Sequence, residues 1–133
     1  METELIIICL FFIVFFFILF LFVRYIPIMI VKMRAKKYGL KLDTADVKEL
    51  IRMGCVKTSF FKLVSIFVRD GLECDVVQLA FHYVSGGNLD NVLKGILYAK
   101  ANNVSITNSE IYTIDLANRD VVEIIKKGKP YLL

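Results

Sequence analysis

Residues 5–23, LIIICLFFIVFFFILFLFV, form an unbroken run of nineteen apolar residues at the start of a 133-residue chain. At about 1.5 Å of rise per residue, a helix of this length spans roughly 28 Å, close to the hydrocarbon thickness of a bilayer. Seven of the nineteen residues are phenylalanine and none is charged, so a soluble core of this size could not cover the helix on all sides. The run predicts a single membrane anchor.

A cleavable signal peptide is the main alternative to a retained anchor. Such a peptide has a basic start, a shorter apolar core and small residues at its cleavage site. Here the run follows Met1-Glu2-Thr3-Glu4 and precedes Arg24-Tyr25-Ile26-Pro27, so neither flank fits. We therefore predict that the anchor is retained.

The charges around the run predict its orientation. The net charge is −2 over residues 1–23, +5 over 24–37 and +1 over 38–133. Since cations next to a membrane helix stay on the cytoplasmic side, we expect an outside N-terminus and a cytoplasmic body. With few aromatic neighbours, these cations fit anionic headgroups better than nucleic acid. The predicted membrane-contacting residues are Arg24, Lys32, Arg34, Lys36 and Lys37.

The segment after the run leaves two arrangements open. Residues 25–31, YIPIMIV, are apolar too, and Pro27 would tolerate a kink where the helix leaves the bilayer. The segment either lies in the interface or forms the returning arm of a shallow hairpin. We predict a membrane anchor with a basic collar over 1–37 and a helical domain over 38–133.

The helical domain has an internal period of 32 residues. Glycine or asparagine recurs at two fixed phases, and both residue types accept the left-handed backbone that ends helices. Each unit is thus predicted to be a helical hairpin, in units of about 39–70, 71–102 and 103–128. The two phases are Gly39, Gly71, Asn103 and Gly54, Gly86, Asn118; the predicted structural turns are Gly39, Gly54, Gly71, Gly86 and Gly87.

These features predict an all-α fold of one transmembrane helix followed by about three helical hairpins. The first helices are expected at about 45–53, 76–85 and 108–117, and the second at about 59–70, 89–101 and 119–127. Residues favoured as N-caps stand at the expected starts, namely Asp43 or Thr44, Asp75, Asn88 and Thr107. Apolar stripes predict the core: Phe60, Leu63, Val64, Phe67 and Val68, and Leu89, Val92, Leu93, Ile96 and Leu97.

Little in the sequence is suited to catalysis or metal binding. His82 is the single histidine, and we interpret it as a partly buried packing or hydrogen-bonding residue. The Ser85-Gly86-Gly87 stretch lacks the Lys-Ser/Thr of a phosphate-binding loop. The three cysteines are widely spaced, as in a reducing cytosol. We expect no catalytic residue, metal, cofactor, nucleic acid or small-molecule substrate.

Two stretches resemble the bacterial flotillin-like proteins. Residues 82–92, HYVSGGNLDNV, resemble the HY-x-x-GGN-x-D-x-V stretch of that family, and residues 114–121, IDLANRDV, resemble its IDLAGRDV stretch with Asn118 in place of glycine. The similarity runs from about residue 5 to residue 123. The residues that carry it are His82, Tyr83, Gly86, Gly87, Asn88, Asp90, Asp115, Arg119 and Asp120.

The resemblance implies an anchored protein of the bacterial plasma membrane that oligomerises and organises membrane microdomains, a scaffold and not an enzyme. In the family this segment precedes a stomatin/prohibitin-type domain and a coiled coil, which we do not find in this sequence; we expect a natural short form or a fragment, and self-assembly through those parts is not implied. The alternative is a membrane-tethered module whose hairpins offer a groove to one protein partner. The expected partners are membrane lipids together with other proteins or copies of the chain.

The charge asymmetry gives a testable topology. An alkaline phosphatase fused at Leu133 should be inactive in bacteria, because that enzyme requires export, while a cytoplasmic reporter at the same position should be active. Reversing the five cations of residues 24–37 to acids should weaken or invert this preference. Phosphatase activity in the unmodified fusion would contradict the predicted orientation.

Overall fold

The computed structural model describes residues 1–128 of the chain and is entirely α-helical over that range. The predicted all-α fold is therefore confirmed, and the prediction for residues 129–133 lies outside the described residues. The helices are α1 (Glu2–Lys37), α2 (Thr44–Arg52), α3 (Thr58–Arg69), α4 (Val76–Val84), α5 (Leu89–Ala101), α6 (Asn108–Leu116) and α7 (Val121–Lys127). Each predicted repeat unit contains one pair, namely α2 and α3, α4 and α5, or α6 and α7.

The helix starts follow from local capping chemistry. The side chains of Asp43, Asp75, Asn88 and Thr107 each accept backbone N–H groups of the following turn, as predicted. The last helix begins at residue 121 and not at the predicted 119, because the Asp120 carboxylate accepts the N–H of Glu123 and caps the helix there.

The ends of α1 to α6 share one backbone turn. Each is followed by a residue with φ between +53° and +91°, a glycine in four cases and Asn103 or Asn118 in the others. The next residue donates its N–H to the carbonyl five residues earlier, as Leu72 does to Phe67 (3.0 Å) and Gly87 to His82 (3.0 Å). This is the Schellman motif, which satisfies the last carbonyls of a helix. Positive φ at Gly71 (+67°) and Gly86 (+91°) confirms the prediction for those two residues.

Helix α1 is both an apolar membrane-length helix and a member of the repeat. Among residues 1–128, it is the helix long and apolar enough to cross a membrane, and its most apolar window is not buried by the rest of the protein. Its last turns, in contrast, occupy the place of the second helix of a unit. At intervals of 32 residues Ile28, Phe60 and Val92 all face the core, as do Ala35, Phe67 and Ala99.

The returning-arm arrangement for residues 25–31 is wrong, because α1 continues through Pro27 without reversing. Proline lacks an N–H, so the carbonyl of Val23 loses its usual partner in the helix. Val23 is the last residue of the apolar run, and if that run spans a bilayer, headgroups and water are available to this carbonyl. The helix therefore tolerates proline at this point better than it would at the centre of a bilayer.

The end of α1 and helices α2 to α7 share one hydrophobic core. The two predicted stripes are mostly right: Phe60, Val64, Phe67, Leu89, Val92 and Leu93 are buried. Val68 is exposed, while Phe61, which the stripe omits, is fully buried. The difference arises because α3 packs on α1, α4 and α5, so a wider arc of its surface is covered than a single amphipathic stripe.

The helix ends provide a stability test. Replacing Gly71 or Gly86 with valine should lower the free energy of unfolding by about 1–2 kcal/mol, because a β-branched residue is disfavoured at positive φ. An added Cβ meets no atom within 4 Å at either site, so the effect would come from the backbone alone. Thermal unfolding of the full chain in detergent micelles, followed by circular dichroism, would measure it.

The matched controls for this test are Asn103→Gly and Asn118→Gly, which keep the same turn and should leave the melting temperature nearly unchanged or raise it slightly. Gly128→Val would be expected from the sequence to have little effect, because Gly128 follows the last helix. In the structure, however, Gly128 also has φ of +75° and caps α7, so it is not a suitable control. Valine variants that melted like the asparagine-to-glycine variants would contradict the role of these turns.

Candidate functional site

A buried carboxylate on α6 organises the two stretches that carry the family resemblance. Asp115 is 4% exposed. Its Oδ2 atom accepts hydrogen bonds from Nε2 of His82 (2.7 Å) and from the backbone N–H of Asn88 (2.7 Å), and its Oδ1 atom accepts one from Nδ2 of Asn91 (2.6 Å). Three donors thus converge on one buried carboxylate, and hydrogen bonds to a carboxylate are among the strong ones in proteins.

Asn91 extends this network to α7. Its Nδ2 also donates to the carbonyl of Arg119 (2.9 Å), and its Oδ1 accepts the N–H of Val121 (3.2 Å). The network thus joins α4, α5, α6 and the start of α7. Among residues 1–128, no buried side-chain nitrogen or oxygen lacks a hydrogen-bond partner, as a stable polar network requires.

The turn between α4 and α5 brings His82 and Asn88 to the same carboxylate. Gly87 has no positive φ, unlike the other four glycines predicted as turns, and is needed for another reason. A Cβ at Gly87 would lie 2.2 Å from Nε2 of His82, so a side chain there would displace the imidazole. Asn88 then caps α5 through the N–H groups of Asp90 and Asn91, which leaves its own N–H to Asp115.

The contacts of His82 are those of a residue that stabilises the fold. It is 3% exposed, more deeply buried than predicted, and its ring lies against that of Tyr112, with 4.8 Å between the centroids. A histidine–aspartate pair also occurs in catalytic triads, where the other ring nitrogen contacts a nucleophile. In the part of the chain that the structure describes, His82 forms a hydrogen bond to the carboxylate and none to a hydroxyl or thiol.

The thiols near this region are not activated. Burial raises the pKa of the Cys55 thiol. For Cys74, burial raises the pKa first and the nearby Asp75 carboxylate raises it further. The pKa of Tyr112 is raised by burial, then by Cys74 and Asp75. At neutral pH these groups stay protonated, whereas a nucleophilic cysteine needs a lowered pKa. Three or more metal-ligating side chains do not come together anywhere in residues 1–128.

An apolar groove adjoins the network between α2, α4 and α6. It has a volume of about 540 Å³, and Phe81 (68% exposed) and Leu116 (46% exposed) line it. Where α2 ends, Arg52 forms an ion pair with Glu49 at 2.6 Å. His82 and Tyr112 belong to the same lining, so the polar network supports one wall of the groove.

The five predicted membrane-contacting cations separate into two groups. Lys32 donates from Nζ to Oγ1 of Thr44 (2.7 Å), and Arg34 donates from Nη1 to the carbonyl of Val56 (2.5 Å). These two hold α1 to the other helices. The side chains of Arg24, Lys36 and Lys37 are exposed.

The other family-motif residues lie at the edges of the network. The ring of Tyr83 packs on Phe60 with 5.7 Å between centroids, Asp90 is exposed in the first turn of α5, Arg119 contributes its carbonyl, and Asp120 caps α7. Sequence reasoning missed Asn91 and Tyr112. Asparagine is disfavoured inside helices because it competes for backbone hydrogen bonds. Its presence at residue 91, inside the predicted helix, was therefore the sequence signal that pointed to a specific hydrogen-bonding role.

The chain matches the family model of the flotillin-like protein FloA over residues 5–129. Similar proteins include flotillin-like protein FloA 2 of Rhodopirellula baltica, 41% identical over 43% of this chain and 16% of the relative. FloA of Dictyoglomus turgidum is 35% identical over 41% of the chain and 16% of its own length, and that of Staphylococcus saprophyticus 31% identical over 58% and 24%. The matched segments thus span less than a quarter of these relatives. No solved structure matches the chain significantly.

Removing the central carboxylate tests the network. We expect Asp115→Ala to lower the free energy of unfolding by about 3–5 kcal/mol, because three donors lose their acceptor in a buried place. Asp115→Asn should cost less, since one acceptor oxygen remains. Asp90→Ala, which removes an exposed carboxylate in the same region, should cost at most about 1 kcal/mol. Denaturant unfolding of the full chain in micelles would measure all three, and equal losses for the two alanine variants would contradict the role of Asp115.

Proposed function

The chain belongs to the flotillin-like FloA family, and from that premise we propose that it is a membrane-anchored, non-catalytic scaffold or adaptor that organises regions of the bacterial plasma membrane. In this proposal α1 crosses the bilayer and the helical hairpins lie on its cytoplasmic side. The hairpins assemble with other copies or with protein partners.

The observation that carries the proposal is the double role of α1. The exposed apolar run of residues 5–23 suits lipid, while Val31 and Ala35 of the same helix are buried in the protein core. A flexible linker would let the hairpins move independently of the anchor. The packed helix instead fixes their position relative to the bilayer, which is what a scaffold needs in order to present a surface at a constant height.

The environment of the titratable groups supports a non-catalytic role. The Asp115 carboxylate is fully engaged by His82, Asn88 and Asn91, and burial raises the pKa of the Cys55 and Cys74 thiols. A catalytic pair would instead pair its base with a nucleophile and have a matched pKa. The network is better suited to fixing the angle between α4, α5 and α6.

A second candidate function is a membrane-tethered module that binds one partner, and the groove between α2, α4 and α6 favours it. The exposed side chains of Phe81 and Leu116 could receive the apolar face of a partner helix, as grooves of this kind do in other proteins. The Glu49–Arg52 ion pair at the groove could exchange for charges of the partner.

Oligomeric state and distribution in the cell distinguish the two functions. For a scaffold we expect a large homo-oligomer after mild detergent extraction, measured by size exclusion with light scattering, and discrete foci of a tagged copy in living bacteria. For a single-partner module we expect a monomer that is spread evenly over the membrane. A substrate turnover that disappeared in His82→Gln, with an unchanged melting temperature, would overturn both.

The groove itself can be tested with a matched pair of variants. Phe81→Ser removes an exposed aromatic side chain from the groove, while Val68→Ser removes an exposed apolar residue of α3 that is not part of its lining. Loss of foci or of the partner complex in Phe81→Ser alone would assign assembly to the groove. If the Phe81→Ser and Val68→Ser variants formed foci and complexes equally well, the groove would be excluded as the assembly surface.

A further inference from the structure

A small cavity between α1 and α2 combines two cations with apolar side chains. Its volume is about 290 Å³, and it is lined by Arg24, Pro27 and Ile28 of α1 and by Lys48 and Ile51 of α2. Neither cation belongs to the family motifs described above. Two side chains of like charge that face one cavity repel each other unless an anion lies between them.

The cavity lies close to the end of the apolar run. Pro27 is four residues beyond Val23, which corresponds to roughly 6 Å along a helix. The headgroup layer on each side of a bilayer is about 5–7 Å deep. If residues 5–23 fill the hydrocarbon, Arg24, Pro27 and Ile28 therefore lie at the depth of the phosphates.

The contacts between α1 and α2 explain why α2 reaches this depth. At its start, Oγ1 of Thr44 accepts a hydrogen bond from Lys32 (2.7 Å). Two turns later, Ile51 lies beside Pro27 and Ile28, which precede Lys32 on α1. Helix α2 thus runs back along α1 toward the apolar run and brings Lys48 with it.

We propose that this cavity binds the headgroup of an anionic phospholipid, with the phosphate between Arg24 and Lys48 and the glycerol region against Ile28 and Ile51. A guanidinium group binds phosphate oxygens through paired N–H donors, and an ammonium group adds a point charge. The acids of α2 are engaged elsewhere, since Glu49 pairs with Arg52 and Asp46 accepts the N–H of Asp43. The inference rests on the membrane anchoring in the proposed function and adds a lipid class to it.

The sequence contains no tryptophan, so one introduced tryptophan reports on its surroundings without background. We would reconstitute the full chain carrying Ile51→Trp in phosphatidylcholine vesicles with a minority of phosphatidylglycerol. In one series the phosphatidylglycerol is brominated, so that it quenches tryptophan fluorescence, and in the other series the phosphatidylcholine is brominated. Comparing the two quenching curves gives the relative association of each lipid with residue 51. Ile51 is 37% exposed, and circular dichroism would show that the variant folds.

We expect phosphatidylglycerol to be enriched around the indole of the Ile51→Trp chain. Adding Lys48→Gln or Arg24→Gln to that chain should each lower the enrichment about fivefold, and salt should lower it too. Adding Lys62→Gln, which removes an exposed cation of α3, should leave it unchanged. Equal quenching by the two lipids would overturn the proposal. Displacement of the lipid by inorganic phosphate, beyond that caused by sodium chloride at the same ionic strength, would also overturn it, since the site would then be one for a free anion.

Two further single-tryptophan chains separate this inference from the anchoring on which it rests. Phe12→Trp, in the middle of the apolar run, should be quenched strongly by both lipids if α1 is inserted. Val104→Trp, exposed in the loop between α5 and α6, should be quenched little. Quenching of the Phe12→Trp chain without quenching of the Ile51→Trp chain would overturn the lipid site and leave the anchor intact. An unquenched Phe12→Trp chain would overturn both.

Discussion

The structure depends most on the way its helices end. At six places a residue in the left-handed region turns the chain, and the following N–H closes on the carbonyl five residues earlier. Each turn satisfies the last carbonyls of one helix and fixes the direction in which the chain leaves it. Since these turns recur at two phases of a 32-residue period, successive helices fold back on one another, and their apolar faces meet in a single core. Side-chain packing then sets the distances between helices, while the turns limit which helices can lie next to each other.

The 32-residue period of these turns also explains the double role of α1. The turn at Gly39 ends it just as the turns at Gly71 and Asn103 end α3 and α5, so its last turns take the place of a second helix in the stack. Val31 and Ala35 are then buried by α2 and α3, and Lys32 and Arg34 add polar contacts at the edge of that interface. Positive charge after an apolar run is usually interpreted in terms of membrane topology. Here part of it also fastens one helix to the next.

Much of this architecture could be predicted from the sequence because it is local. Glycine, asparagine and capping residues act over a few positions, so the helix bounds from α2 to α6 agree with the structure to within about one residue. The polar network was not predictable in the same way. Asp115 and His82 are 33 residues apart, and no local pattern says that they meet or that Asn91 joins them. The burial of Phe61 was missed for the same reason, since it depends on which helices surround α3.

The unbroken course of α1 has a mechanical consequence. Hydrophobic helices tilt by about 20° on average, and the tilt changes when the bilayer becomes thinner or thicker. The peptide units from Val23 to Val31 are all helical and packing begins at Ile28, so a continuous helix joins the apolar run to the stacked hairpins, with one internal hydrogen bond missing at Pro27. Under the proposed function, in which α1 crosses the bilayer, a change in the tilt of the apolar run would therefore turn the hairpins as well. The thickness of the surrounding lipid would then influence the orientation of the hairpins relative to the membrane plane.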